Sequence, residues 1–547
     1  MSSPAAVNPS PRWPWICLAL AMIWVALVRI PLVLNAEIHL DSDLAVDGLT
    51  LLDATKGIWR WHFPGTPHMG TAPILLSYPF AKIFGTNAST LVMGGVLAYE
   101  AAVLMTFLLC LRAFGHRVAA WSLIPLAFAS VGTIWLSGRL TGGHLLTVAW
   151  FAGALTMLHA ALDQRGALRS LCFGLWCGLG FWLDQMVLSA LLPLIMAYLC
   201  FQDSESRLWR KLLAMLALVA GFAIGDLPRE IGYRQDPYDS YREQFDTIVV
   251  RHTSGPQTGQ IDRAKTTDLA LGHMGLLSFE CLPRLISGHL IKTPDFGTEP
   301  RPEMFSIRRR DPGVQGPSAL GIATLLITSP LLVVSVLSLL VRGSRAEPFA
   351  SRAVIFSLIM TTLLVTAGFV LNKNIFNSDN YRYLVFWLVT WAVGFGLLME
   401  WLWRKGAGGK LVSLAIAALL PTILTLDTIS WYRGFGWIDG VLPVRAPLKD
   451  PAFAWLKDHP EHAAIFGGYW DVYRLEFLLG GKVKGLPYPN YPDRFDAAGL
   501  FPGRRPRLLV ARARELGGFY ESKALEDGGQ VLFRAPGLLI IDWPVAP

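Results

Sequence analysis

Long apolar runs, separated by short polar segments, make up most of this chain. About eleven of them are predicted as membrane spans from their length and flanking charge, since a helix of ~20 apolar residues crosses a hydrocarbon core of ~30 Å. A backbone in lipid must satisfy its own hydrogen bonds, so repeated runs predict a helical bundle. The predicted spans lie near residues 13–34, 88–111, 118–137, 144–162, 169–183, 186–202, 210–227, 317–342, 353–371, 381–403 and 411–428. Residues 1–428 are therefore predicted to form an all-α polytopic membrane domain.

The hydropathy pattern changes from about residue 429. Short β-like runs then alternate with helical patches, which is typical of an α/β domain. The β-like runs are "AAIFGGY", "RPRLLVA", "GQVLFR" and "GLLIIDW", and the helical patches are "DVYRLEFLL" and "ARELGGFYESKAL". We predict a small α/β domain over residues 429–547, and two large extramembrane loops at 35–87 and 228–316.

Composition and charge support a membrane protein and argue against a nucleic-acid partner. Of the 547 residues, 53% are hydrophobic and 16% are charged. The net charge is +8, but many of the cations lie in short loops between spans, as in the bias that keeps positive loops in the cytoplasm. These loop cations are Arg112, Arg117, Arg165, Arg169, Arg207, Arg210, Lys211, Arg342, Arg345, Arg404, Lys405 and Lys410. With a cytoplasmic N-terminus, the two large loops and the C-terminal domain are expected outside.

The stretch "HLDSDLAVDG", residues 39–48, follows directly on the first predicted span. Apolar positions recur at roughly helical spacing as far as Trp59, which predicts a helix along the membrane interface with tryptophans at headgroup depth. Asp43 and Asp47, four residues apart, share one face of this helix. An acid at a helix start can be a simple cap, which is the alternative for Asp41. Because a cap needs fewer acids, all three aspartates are candidate catalytic residues.

Other polar residues lie at the predicted outer ends of spans and are candidates for binding a substrate or its phosphate. Arg382, in "NSDNYRYL", can hold a phosphate with two hydrogen bonds, and interfacial anchoring is the alternative. Glu100 falls inside the span 88–111, where an ionisable group indicates function unless the span end is misplaced. The remaining candidates are Arg139, His144, Lys373, Tyr381 and His68.

Histidines share the first outer loop with the acids, and they raise the question of a metal. His39, His62 and His68 could join the aspartates in a metal site, or they could be ordinary polar loop residues. Their spacing matches no structural zinc pattern. No cofactor is therefore required by the sequence, and a divalent cation stays open.

Several stretches resemble pieces of a known superfamily. "LDSDLAVDGL" and "GTPHMGTAPILLSYPFAKIFG" are similar to the first outer loop of GT-C membrane glycosyltransferases. Their family-39-like group contains Rgt-type sugar transferases, lipid A aminoarabinose transferases and protein O-mannosyltransferases. "GGHLLTVAWFAGAL", "GLGFWLDQMVL", "NYRYLVFWL" and "GGYWDVYRLEFLLGGKV" resemble further pieces in the same order.

The resemblance implies a glycosyltransferase that moves a sugar from a polyprenyl-phosphate donor to an acceptor hydroxyl. The acceptor would be an envelope glycan, a lipid or a protein, at the outer face of a bacterial inner membrane and among its lipids. The resemblance puts the catalytic base at Asp43 and cationic residues on the lipid phosphate. The chain departs from the pattern at Leu44, where many relatives have Glu, and it lacks the lysine that some relatives carry near "PGTPHMG".

Two functions without catalysis remain as alternatives. A transporter or flippase would use Glu100 and Arg29 as pathway residues, and another protein would only bind a lipid-linked glycan. Transporters tend to bind substrate near the midplane between internal repeats. The absence of a recognisable repeat and the large extramembrane segments therefore favour the enzyme.

Overall fold

The computed structural model describes most of the chain and is largely helical. The described residues are 11–140, 143–164, 166–201, 208–235, 263–287, 319–342, 348–372, 375, 378–487, 494–495, 507–512 and 521–544. In chain order the helices are α1 (Trp13–Leu34), α2 (Ala36–His39), α3 (Ser42–Thr55), α4 (Ala72–Phe84), α5 (Ala88–Phe114), α6 (His116–Ala127), α7 (Val131–Ser137), α8 (His144–Asp163), α9 (Ala167–Leu183), α10 (Leu188–Cys200), α11 (Leu208–Gly225), α12 (Leu227–Gln235), α13 (Arg263–Leu276), α14 (Leu282–Ser287), α15 (Ala319–Arg342), α16 (Phe349–Leu371), α17 (Trp387–Trp403), α18 (Ala407–Gly434), α19 (Pro451–Asp458) and α20 (Tyr469–Leu478). A π turn spans Leu277–Cys281, and 3₁₀ turns span Gln185–Val187 and Ser378–Leu384.

Each of the eleven predicted spans coincides with a helix or a pair of helices. Within the described residues, seven helical segments are long and apolar enough to cross a membrane. Helices α6 and α7 pass the same test together but are bent by 84°. The bend has a local cause, because Pro125 lies near the end of α6 and the Ser130 side chain caps α7. The three remaining spans, α9, α10 and α17, are apolar but short. The predicted all-α polytopic fold is confirmed, with seven or eight full-length spans.

The charges of the short loops predict which span ends share one face of the membrane. In the structure, such span ends lie together. At one end, Ser89 at the start of α5 donates to the Val33 carbonyl of α1 at 2.9 Å. At the opposite end, Arg117 lies 3.7 Å from Glu400, so the predicted cytoplasmic loops before α6 and after α17 meet. The bundle thus has two distinct polar ends.

The first predicted outer loop is a folded unit. After α3, the hairpin of β1 (His62–Phe63) and β2 (Thr66–Gly70) leads into α4. The predicted helix is present but shorter than expected. It ends at Thr55 instead of Trp59, just before Gly57 at φ +90°. It is also mostly buried, and α20 of the C-terminal region packs on it.

The second predicted outer loop, 228–316, is helical wherever the structure describes it, from α12 to α14. Helix α14 packs on the bundle, since Ser130 and Thr133 of the α7 start both donate to the Leu285 carbonyl at 2.8 Å. The described part of this segment is therefore structured and does not form an open loop.

The C-terminal region holds a five-stranded mixed sheet in the order β6-β5-β7-β9-β8. Two two-residue strands, β3 and β4, precede it, and the strands are β3 (Ile438–Asp439), β4 (Leu442–Pro443), β5 (Ala464–Gly467), β6 (Lys484–Pro487), β7 (Leu508–Arg512), β8 (Gln530–Ala535) and β9 (Leu538–Asp542). All four predicted β-like runs are strands, and the first helical patch is α20. Part of the second patch, 513–520, lies outside the described residues. Helix α18 continues to Gly434, six residues past the predicted span end.

Candidate active site

Asp41 caps α3, and both of its carboxylate oxygens have partners within the protein. Its Oδ1 accepts a hydrogen bond from the Leu44 backbone N–H at 2.9 Å, as a helix cap does. Its Oδ2 forms an ion pair with Arg139, which follows α7. The side chain is buried. The structure therefore brings Asp41 and Arg139 together, in an arrangement that fixes the start of α3.

Asp43 lies on the first turn of the same helix, and it is the half-buried member of the three aspartates. Its Oδ1 accepts a hydrogen bond of 2.5 Å from the Tyr469 hydroxyl. Among the described residues, no other hydrogen bond reaches this carboxylate. Asp47, one turn further along, is only 2% exposed. Asp43 is thus the most accessible of the three aspartates.

Tyr469, the first residue of α20, is a site residue that sequence reasoning missed. Its carbonyl accepts a hydrogen bond from the Ser42 hydroxyl at 2.5 Å, and the Arg494 guanidinium lies 5.1 Å from its ring centre. Burial, together with the neighbouring Asp43 carboxylate, raises the pKa of Tyr469 well above its usual value. The phenol therefore stays protonated and donates its proton to Asp43. The stretch "GGYWDVYRLEFLLGGKV" was singled out by resemblance, but nothing in it pointed to Asp43.

Arg382 lies in the 3₁₀ turn before α17 and supplies the positive charge of the site. Its Nη2 donates to the Tyr383 hydroxyl at 3.5 Å, and its Nε has no hydrogen-bond partner among the described residues. Burial works against its charge, but Tyr383 and the Asp43 carboxylate outweigh burial and raise the pKa of Arg382. The guanidinium is therefore cationic and has hydrogen-bonding capacity left for an anion.

His144 and Asp184 complete the polar cluster around Arg382. The His144 ring packs edge-on against Tyr383 at 5.8 Å, within reach of the Arg382 charge. Asp184, between α9 and α10, pairs through its backbone with Met69 of β2. Burial raises the pKa of Asp184 to about 7, although Arg382 opposes this shift. Asp184 was not among the site residues predicted from the sequence.

Three other predicted site residues lie elsewhere or cannot be compared. Tyr381 is buried and donates to the Gly132 carbonyl at 2.8 Å, which makes it a packing residue of the bundle. Glu100 lies deeper in α5, roughly 17 Å along the helix from Ser89 at ~1.5 Å per residue, and its charged neighbour is Arg29. Lys373 lies outside the described residues.

The histidines of the first outer loop do not form a metal cluster with the acids. No group of three or more His, Cys, Asp or Glu side chains suitable for a metal occurs among the residues that the structure describes. His39 is buried between Trp135 and Trp437, and burial lowers its pKa to about 4. It is therefore a neutral core histidine. His68 lies on β2 and is half-buried, next to the residue that pairs with Asp184.

The fold of the whole chain is similar to that of several solved structures. The crystal structure of ArnT from Cupriavidus metallidurans in the apo state matches at 12% sequence identity and a TM-score of 0.57, covering 97% of each chain. The same protein bound to undecaprenyl phosphate matches equally well. The chain has the fold of the GT-C membrane glycosyltransferases. This GT-C fold confirms the resemblance that was predicted from the sequence.

Further comparisons agree with the GT-C fold. The archaeal oligosaccharyltransferase AglB from Archaeoglobus fulgidus, in complex with an inhibitory peptide and a dolichol-phosphate, matches at 13% identity and a TM-score of 0.51, over 92% of this chain and 69% of that one. Residues 73–225 match the family of dolichyl-phosphate-mannose-protein mannosyltransferases. A search of curated proteins found no match. The matched residues include α4, which follows β2, the span α5 and the residues around His144.

Proposed function

We propose that this protein is a glycosyltransferase that moves a sugar from a polyprenyl-phosphate donor to an acceptor hydroxyl, with Asp43 as the general base. One observation carries the proposal: the half-buried Asp43 carboxylate, bonded by Tyr469 at Oδ1, lies close enough to the buried Arg382 to raise the pKa of that guanidinium. The GT-C fold supports it, since one similar structure holds undecaprenyl phosphate and another holds dolichol-phosphate.

The residues suggest how the reaction runs. The acceptor oxygen attacks the anomeric carbon of the sugar, and its proton passes to Oδ2 of Asp43. The bond between that carbon and the phosphate oxygen breaks, and its electron pair stays on the phosphate. Arg382 balances the charge that develops there, and its planar guanidinium suits two phosphate oxygens. The protein therefore supplies a base and a cation, since the phosphate is already a competent leaving group.

The outer face of a bacterial inner membrane is where we expect this chemistry. The candidate site is at the end of the bundle opposite the Arg117–Glu400 contact, away from the cationic loops that favour the cytoplasm. The acceptor would be an envelope glycan, a lipid or a protein. A prenyl tail would lie between the helices, with its phosphate at headgroup depth beside Arg382.

The test is sugar release by the purified protein from a panel of polyprenyl-phosphate-linked sugars. General-base catalysis typically contributes ~10²–10⁴-fold, so Asp43→Asn should fold, bind donor and lose about that much turnover. Asp41→Asn and Asp47→Asn should lose less. Asp53→Asn is the matched control, because Asp53 lies on α3 but pairs with Arg60 at 3.4 Å instead of facing the site.

The alternatives give different results in the same experiment. A protein that only binds a lipid-linked glycan would hold the donor without releasing sugar, and a flippase would move it across the bilayer intact. Normal turnover of Asp43→Asn would rule out the proposed mechanism.

A further inference from the structure

Helix α20 of the C-terminal region holds the segment that carries Asp43 at several points. The Arg474 Nε donates to the Leu40 carbonyl at 3.1 Å, just before the α3 cap. The Ser42 hydroxyl donates to the Tyr469 carbonyl, and the Tyr469 hydroxyl donates to Asp43. Helix α20 thus contacts Leu40, Ser42 and Asp43, which lie on both sides of the α3 cap.

The two helices also pack closely. A Cβ added to Gly48 of α3 would lie 2.5 Å from the Phe477 ring of α20, which is closer than real Cβ contacts allow. The absence of a side chain at Gly48 therefore lets the ring approach the backbone of α3. This contact keeps α20 and α3 in register one and a half turns beyond Asp43.

Buried ion pairs anchor α20 in turn. Arg474 forms an ion pair with Asp450, and Arg512 bridges Asp450 and Asp471 at 3.1 Å and 2.8 Å. All four side chains are buried or nearly so. Buried ion pairs demand a well-defined geometry to offset their desolvation, so α20 has a fixed position against the sheet and against Leu40.

From this arrangement, which rests on the proposed function, we infer that Tyr469 is a positioning residue for Asp43. Its hydroxyl holds Oδ1 and so turns Oδ2 toward the acceptor. A carboxylate on the first turn of a helix can otherwise rotate about two side-chain bonds. One short hydrogen bond to a charged acceptor is a strong restraint, and misplacing a catalytic group by ~1 Å can cost ~10²-fold in rate.

The inference separates turnover from donor binding. Tyr469→Phe keeps the ring and its packing but removes the hydroxyl. Asp43 should then sample unproductive orientations while Arg382 still holds the donor phosphate. We expect kcat to fall by about ten- to a hundredfold, with the KM for the donor within about twofold of the wild-type value.

Tyr473→Phe is the matched control, because Tyr473 lies one turn along α20 and is equally buried. Its hydroxyl accepts from the Arg494 backbone N–H at 2.7 Å and does not bond to Asp43. Both variants should melt at similar temperatures, and only Tyr469→Phe should lose kcat. Equal losses in the two variants, or a donor KM that rises in step, would mean that Tyr469 is merely structural.

A double-mutant comparison gives a second readout. If Tyr469 acts through Asp43, then Asp43→Asn with Tyr469→Phe should be no slower than Asp43→Asn alone, and additive losses would overturn the inference. If Tyr469→Phe does not fold, Ser42→Ala is the substitute variant, because it removes the hydrogen bond to the Tyr469 carbonyl. Ser42→Ala should also lower kcat, and a normal kcat in that variant would overturn the inference.

An inactive wild type would instead refute the proposed function, whereas an active wild type with a normal Tyr469→Phe refutes only this inference.

Discussion

We expect Asp184 to make donor binding depend on pH near neutrality. Burial raises the pKa of its carboxyl to about 7, and Arg382 is the cation that acts on it. As the pH rises through that pKa, Asp184 loses its proton, and its negative charge should then compete with a donor phosphate for Arg382. We expect the Kd for a polyprenyl-phosphate-linked sugar, a diester that does not titrate in this range, to rise about fivefold between pH 6 and pH 8, for an interaction of ~1 kcal/mol. Binding titrations at a series of pH values measure this directly.

Asp184→Asn should flatten that dependence, because an amide does not ionise in this range. Glu37→Gln is a suitable control, since Glu37 is a partly exposed acid that pairs with Arg445 at 3.3 Å. That variant should keep the wild-type dependence. A pH-independent Kd in the wild type would contradict the prediction.

At the scale of residues, the sequence identified those whose chemistry stands out locally. Asp43 became a candidate because acids at the end of an apolar run are unusual, and Arg382 because it lies at the predicted end of a span. Asp184 and Tyr469 escaped, since a buried turn acid and a tyrosine look ordinary until distant segments meet. The Tyr469 hydrogen bond joins residues 426 apart in the sequence. Glu100 attracted attention as an ionisable group in a span, but it lies away from the cluster around Arg382.

At the scale of elements, the contact between α3 and α20 makes a prediction about Gly48. A methyl group there would meet the Phe477 ring at 2.5 Å, so Gly48→Ala should force the helices apart. Overpacking of this kind costs ~1–3 kcal/mol, and the shift should also lower turnover by displacing Asp43. Thermal melting and turnover of the purified variant measure the two effects.

Gly368→Ala is the control for helix propensity. Gly368 lies inside α16, and an added Cβ meets nothing within 4 Å. Alanine favours helix over glycine, so this variant should be as stable as the wild type or slightly more stable. A Gly48→Ala protein that behaves like Gly368→Ala would show that the contact tolerates a methyl group.

Elements were predictable where the signal is long and repetitive. Every predicted span is helical because about twenty apolar residues admit few other structures in lipid. The end of α3 was misplaced because the apolar spacing continues past Gly57, where a positive φ ends the helix. β6 and α19 were missed, since four and eight residues are too few for a period to stand out from the sequence around them.

At the scale of the whole molecule, the bundle predicts the location of its C-terminal region. Helix α18 is apolar, spans 28 residues and separates the cationic turn at Lys405 from the sheet. Reporter fusions at Gly408 and at the C-terminus should therefore fall in opposite compartments, with Gly408 cytoplasmic. Protease accessibility in sealed vesicles is an independent measurement. Two reporters on the same side would refute the topology.

The contact between α20 and α3 also has a consequence for the time at which the site can form during synthesis. Asp43 leaves the ribosome 426 residues before Tyr469, which is roughly 20 to 90 s at ~5–20 residues per second. During that interval the nascent chain carries its proposed base without the hydroxyl that orients it. A nascent chain that has not yet reached Tyr469 would therefore handle lipid-linked sugar poorly, and full activity would begin only after Tyr469 has been synthesised and α20 has packed on α3.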